Sequence, residues 1–209
     1  MKTALIVWGG WDGHQPQETA ELMEVALTAQ GFSVEVATSL DAYLDEEKLK
    51  SLSLIINNWT MGAIAGEQLT PLLNAVRSGV GFGGIHGGMG DSFREQTEYQ
   101  FMCGGQWVAH PGGLRKYMVN LGPTPDPITA GIEDFEVESE QYYMHVDPIN
   151  VVLATTIFPD YDNVIMPVTW TKRYGEGRVF YCSLGHSASV RAMPPVTTMV
   201  TRGLVWAAR

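Results

Sequence analysis

Four short segments concentrate the residue types that do chemistry, and each stands where a predicted strand gives way to a loop. Residues 83–91, GGIHGGMGD, carry the spacing of a nucleophile elbow, G-x-Nuc-x-G, with Gly84 and Gly88 on either side of His86. Such an elbow is a strained turn from strand to helix that projects one side chain over the sheet edge and closes only if its neighbours are small. Histidine is a poor acyl nucleophile but a good general base or metal ligand, so this segment points to acid–base or metal chemistry at His86. A histidine merely accommodated by a tight turn is the plainer reading.

The other three segments add partners. Residues 9–16, GGWDGHQP, offer Trp11, Asp12 and His14 in a loop whose glycines let backbone N–H groups approach a ligand closely; a glycine-rich turn that caps a helix is the alternative. Residues 139–148, SEQYYMHVDP, gather Glu140, Tyr142, Tyr143, His145 and Asp147. If that piece is extended, Glu140 and Tyr142 share one face and His145 lies on the other, so a bend is needed to bring them together. Residues 180–186, FYCSLGH, deliver His186 just past a strand. His110, in AHPGG, is a further loop histidine with no evident direction.

Neutral imidazoles with one carboxylate suit zinc or a similar divalent ion and leave a coordination position open. His14, His86, His186 and His145 are therefore the candidate metal ligands, and His86, His186 and Glu140 the candidates for catalytic acid–base work. Aromatic rings beside carboxylates and hydroxyls suit a sugar-like ligand, which makes Trp11, Asp12, Tyr142, Tyr143 and Trp170 the expected substrate contacts, with Trp59 beside them. The competing readings are a sugar- or metabolite-binding sensor without chemistry and a scaffold subunit on an inherited fold.

The elements that would position these residues read as strand and helix in alternation. Thr3–Trp8, Phe32–Ala37, Leu52–Asn57 and Val80–Ile85 are the expected strands of the first half, the last so apolar that a central parallel position follows. Pro16 opens a helix stopped by Gly31, and Thr70–Pro71 reads as the start of another that runs to about Arg77. Ser92 with Glu95 reads as a capping box for a helix towards Cys103. Beyond Gly104 the pattern shifts to strands, at Lys116–Leu121, Val151–Thr156, Val168–Tyr174 and Arg178–Leu184, with turns such as GPTPDP and YGEG; a last helix starts near Pro194. In an open α/β sheet ligands bind beyond the carboxyl ends of the strands, which is where the histidines fall.

With 209 residues, 45% of them hydrophobic and no obvious linker, the chain reads as one α/β domain with a mainly parallel sheet. The net charge of −10 repels phosphate backbones and anionic headgroups, so nucleic acid and membrane surfaces are excluded as expected partners. No apolar run reaches membrane-spanning length and the amino terminus lacks a signal-peptide pattern, so a cytoplasmic location is expected. Cys103 and Cys182 lie in hydrophobic surroundings and read as buried free thiols. Six tryptophans and ten methionines imply enough apolar surface for a homo-oligomer.

Nearly the whole chain resembles the ThuA-like family, named for trehalose utilisation. GGWDGHQP, NNWTMG, GGIHGGMGDSFRE, TEYQFMCGGQWVAHPGG, DPITAGI, SEQYYMHVDP, VLATT, MPVTW and GEGRVFYCSLGH look like that family's blocks, in its order. The resemblance implies a three-layer, flavodoxin-like fold similar to class I glutamine amidotransferases, helices on both faces of the sheet, and a role in carbohydrate catabolism on a disaccharide or keto-sugar derivative. It places His86 where those enzymes carry the nucleophilic cysteine and His186 where they carry the triad histidine. Without a thiolate no thioester can form, so glutamine hydrolysis is excluded on chemical grounds. The usual acidic partner is also missing beside His186, where Ser187 and Ala188 stand and ASVRAMPP supplies no aspartate.

Overall fold

A computed structural model describes residues 1–122 and 126–209. The middle of the GPTPDP turn, residues 123–125, lies outside the described residues. The chain runs β1 (Lys2–Gly10), α1 (Pro16–Ala29), β2 (Phe32–Ala37), α2 (Glu46–Ser51), β3 (Leu54–Thr60), α3 (Gly66–Arg77), β4 (Gly81–Ile85), α4 (His86–Gly90), α5 (Thr97–Cys103) and β5 (Gly105–Ala109). It continues through β6 (Leu114–Leu121), β7 (Phe135–Glu140), β8 (Tyr143–Val146), β9 (Val151–Phe158), β10 (Val164–Tyr174), β11 (Gly177–Cys182), α6 (Ala188–Arg191) and α7 (Pro194–Ala207).

Among the described residues, nine strands form one sheet in the order β2-β1-β3-β4-β11-β10-β9-β6-β7. The five from β2 to β11 pair in parallel, and from β10 onward the pairing is antiparallel. β5 and β8 make a separate two-stranded antiparallel flap.

Period-two alternation sorts the parallel strands onto two cores. Leu5 and Val7 of β1 pack with α2, α3 and α5 through Leu49, Leu72, Val76 and Met102. Ala4 and Ile6 of the same strand pack with α1 and α7 through Met23, Leu27, Val200 and Leu204. Helices thus cover both faces, and the buried strands are mainly apolar, as a covered parallel sheet requires, apart from Asn57, Asn58 and Thr60 towards the carboxyl end of β3. Cys103 and Cys182 are buried free thiols, one in each core.

Two helix starts differ from the sequence reading. α3 begins at Gly66 rather than Thr70, because the Gln68 side chain reaches back to accept from the Ala65 N–H at 3.0 Å; Pro71 therefore lies inside the helix. Ser92 caps no helix: its hydroxyl donates to the Gly88 carbonyl at 3.0 Å and accepts from Asn57 Nδ2, also at 3.0 Å, and α5 starts only at Thr97. The strands β5 and β7 also arise where none was expected, although Phe135, Val137 and Ser139 of β7 alternate with exposed Glu136 and Glu138.

The candidate metal centre

β4 ends in extended backbone at Ile85, and the next residue, His86, turns into the left-handed region at φ 45°. An L-residue there costs on the order of 1–3 kcal/mol and persists only where the surroundings enforce it. Here they do. A Cβ on Gly84 would lie 2.6 Å from the Asn57 carbonyl oxygen, and one on Gly88 would lie 2.4 Å from Asn58 Oδ1, so the turn closes only with glycine at both places. The Tyr181 hydroxyl donates to the His86 carbonyl at 3.0 Å. The elbow is therefore present, with an imidazole as its projected group.

Both nitrogens of the His86 ring are engaged. Nδ1 donates to the Ser183 carbonyl, at the end of the neighbouring strand β11, at 2.7 Å, and Nε2 lies 3.1 Å from Glu140 Oε2. Tyr142 stacks on the ring at 4.0 Å between centroids. His14 arrives from the 3-10 turn Asp12–His14 that follows β1; its Nδ1 meets Thr60 Oγ1 at 3.0 Å and its Nε2 lies 3.4 Å from the same Glu140 Oε2. Gly87 leaves room for that ring, since a Cβ there would come within 2.6 Å of it. His186, released from β11 through Gly185 at φ 115°, points Nδ1 at Glu140 Oε2 from 3.3 Å.

Three imidazoles from three separate strand ends thus converge on one carboxylate oxygen, and the four candidate ligand atoms lie within 4.8 Å of one another. Burial drives the His86 pKa down to about 4, outweighing the Glu140 and Ser183 hydrogen bonds that would raise it. Burial would push the Glu140 carboxyl up, but its contacts with His14 and His186 outweigh that and hold it far below the usual carboxylate range. Glu140 is therefore an anion facing a neutral His86. The one ring proton of His86 is committed to the Ser183 carbonyl, so Nε2 turns a lone pair towards a charged oxygen.

The donor set fits a divalent ion. Ligands about 2.0–2.1 Å from zinc in a tetrahedron lie roughly 3.3 Å from one another, which is the spacing of the three imidazole nitrogens from Glu140 Oε2 (3.1, 3.4 and 3.3 Å). Apart from its 3.3 Å approach to Glu140 Oε2, His186 Nδ1 has no polar partner among the described residues, so nothing else competes with an ion for it. The Ser183 carbonyl and Thr60 hydroxyl fix the rings of His86 and His14 from behind, the outer-shell role common around metal-binding histidines.

The expected site residues divide. His14, His86, His186, Glu140 and Tyr142 meet at the cluster, and Trp11, 46% exposed, stands at its rim with its ring 4.7 Å from His14. His145 does not join them: strand alternation in β8 buries Met144 and turns His145 to solvent opposite Gln106. Trp170 is buried in the core, where Nε1 donates to the Cys103 carbonyl at 2.9 Å and the ring packs on Tyr181. Tyr143 packs on Phe158 and Tyr161 instead of the cluster, and Asp12 is exposed, using its carbonyl to accept from the Gln15 N–H.

His110 is the residue that sequence reasoning could not place. It follows β5, lies 3.6 Å by Nε2 from Glu140 Oε1, and neighbours Trp107 and Tyr142. The proline–glycine turn AHPGG is the only signal the sequence offers for it. The carboxylate missing beside His186 is supplied from far away by Glu140, while Ser187 caps α6 through Val190 N–H.

The mixed α/β sheet with its site beyond the carboxyl ends of β1, β4 and β11 defines a protein of the flavodoxin-like, class I glutamine amidotransferase-like fold. Residues 3–207 match the ThuA family, described as trehalose utilisation, and the chain belongs to that family. Among solved structures, a ThuA-like protein from Parabacteroides merdae is 17% identical with a TM-score of 0.81, the match covering 99% of this chain and 89% of that one. A cytoplasmic protein of Salmonella typhimurium LT2 is 12% identical with a TM-score of 0.71, covering 99% of this chain and all of that one. A β-galactosidase from Bacillus circulans sp. alkalophilus, 14% identical with a TM-score of 0.63, matches over 99% of this chain but only 30% of its own length. No curated protein matches the sequence. No helix among the described residues is long and apolar enough to cross a membrane.

Proposed function

We propose that this protein is a metal-dependent enzyme acting on a sugar derivative, with His14, His86, His186 and Glu140 as the ligands of a zinc-like divalent ion. One observation carries the reading: three imidazole nitrogens surround a single buried carboxylate oxygen at 3.1–3.4 Å, and at His86 the geometry leaves two lone pairs facing each other unless a cation lies between them. When bound, such an ion polarises a carbonyl or hydroxyl oxygen of a substrate.

The chain's own residues supply the rest. His110, beside the cluster and partly open to solvent, is placed to take or give a proton, and the exposed face of Trp11 offers a platform for a sugar ring. The family's association with trehalose utilisation supports a disaccharide or keto-sugar as substrate, and the cytoplasmic relatives support an intracellular site of action.

The test is elemental analysis of purified protein, then turnover of a keto-disaccharide panel by wild type and His86→Ala. About one zinc-like ion per chain and loss of turnover in the variant are expected. Metal-free protein that takes up none on titration ends the metal reading. The second reading, a sugar sensor without chemistry, draws on Trp11 standing exposed at the rim; saturable sugar binding with the ligand recovered intact would favour it.

A further inference from the structure

Apart from the histidine cluster, Arg191 stands buried with its charge unanswered among the described residues. Arg191 is 1% exposed, and its Nε and Nη2 meet no hydrogen-bond partner among the described residues. The titratable group that acts on it is the Cys182 thiol, itself kept neutral by burial. A buried guanidinium without counter-charge is among the most expensive arrangements a fold can hold.

Its surroundings share the same deficit. Arg191 ends α6, which packs against α1, α7 and β7, on the sheet face that carries Cys182 and Phe180. Thr169 is the register partner of Cys182 across β10 and β11, so it shares that face. Ser139 lies two residues beyond Val137 on β7 and shares it too. Both hydroxyls are fully buried; Thr169 Oγ1 has the neutral Cys182 thiol beside it and Ser139 Oγ the Tyr117 hydroxyl. Each group here can donate a hydrogen bond; what they lack among the described residues is a negatively charged acceptor.

We propose that Arg191 holds a small inorganic anion of halide size on this face of the sheet, with the Thr169 and Ser139 hydroxyls as further donors. Water would satisfy the hydrogen bonds and leave the charge. A phosphate or sulfate would bring more acceptor oxygens than these few donors can serve. Arg191 follows His186 in one short segment and Ser139 precedes Glu140, so the ion ties together the backs of two segments that bear the histidine cluster.

The experiment compares melting temperatures of the whole protein in sodium chloride and sodium gluconate at equal ionic strength, for wild type and Arg191→Met, with anomalous diffraction from a wild-type crystal soaked in bromide. Wild type should melt roughly 2–4 °C higher in saturating chloride, Arg191→Met should melt alike in both salts, and a bromide peak should lie within hydrogen-bond reach of the guanidinium. Equal wild-type melting in the two salts, a chloride response that survives in Arg191→Met, or no bromide peak beside Arg191 each overturns the proposal. If Arg191→Met does not fold, the bromide map decides.

Discussion

Glu140 Oε2 lies 3.1 Å from His86 Nε2, although the two residues stand 54 positions apart and belong to opposite halves of the sheet. The carboxylate is the hub on which the other imidazoles also converge. Glu140→Gln keeps the shape and removes the charge, so it should lower zinc affinity by more than tenfold with the far-ultraviolet circular dichroism unchanged. Chelator competition measures the loss; unchanged affinity would show that the charge is not what holds the ion.

Gly87 is the place where the elbow and the His14 ring nearly touch. Gly87→Ala drives a methyl group to within 2.6 Å of the imidazole, which must move off the cluster. The expected outcome is weaker metal binding with destabilisation on the order of 1–3 kcal/mol, read by calorimetric titration and urea unfolding. Metal affinity equal to wild type would mean that His14 is not a ligand.

Two tryptophans should separate cleanly by phenotype. Trp170→Phe loses a buried indole and its bond to the Cys103 carbonyl, so it should cost stability, on the order of 1–3 kcal/mol, and spare ligand binding. Trp11→Ala should do the reverse, leaving the melting temperature nearly unchanged and raising the KM for a sugar substrate. Quenching of tryptophan fluorescence by a bound sugar that persists in Trp11→Ala would argue against its role at the rim.

The acid response of metal-free protein follows from His86. Its folded pKa of about 4 lies below the ordinary 6.5, so from pH 6.5 downwards the unfolded chain binds a proton that the folded ring refuses. Stability is full above pH 6.5 and falls as pH drops towards 4, by on the order of 3 kcal/mol. Glu140, whose pKa is depressed, adds its own loss only at lower pH, as the unfolded carboxyl protonates. Urea melts from pH 7.5 to 5 should slope downwards in wild type and flatten in His86→Gln; equal slopes would place the buried proton elsewhere.

Much of this was written locally. His86 between glycines and His186 after Gly185 announce themselves because strand ends and small residues lie beside them in sequence. His145 and His110 show where local reading stops. Alternation in β8 decides that His145 faces water, and the sequence around it already contained that objection, whereas His110 reaches the cluster only because the β5–β8 flap folds over α4 and α5. Trp170 misled because a large aromatic beside polar strand residues looks the same whether it lines a cleft or fills a core. The approach of Glu140 depends on how β6 and β7 continue the sheet beyond β9, a non-local outcome that no short window encodes.

Because the imidazoles of His14, His86 and His186 ride on the parallel half and Glu140 on the antiparallel half, the candidate centre is also a seam. Neither portion owns it alone. Ion capture would report when the two portions have docked during folding, and an occupied centre would clamp them, slowing their separation more than any single strand pairing does.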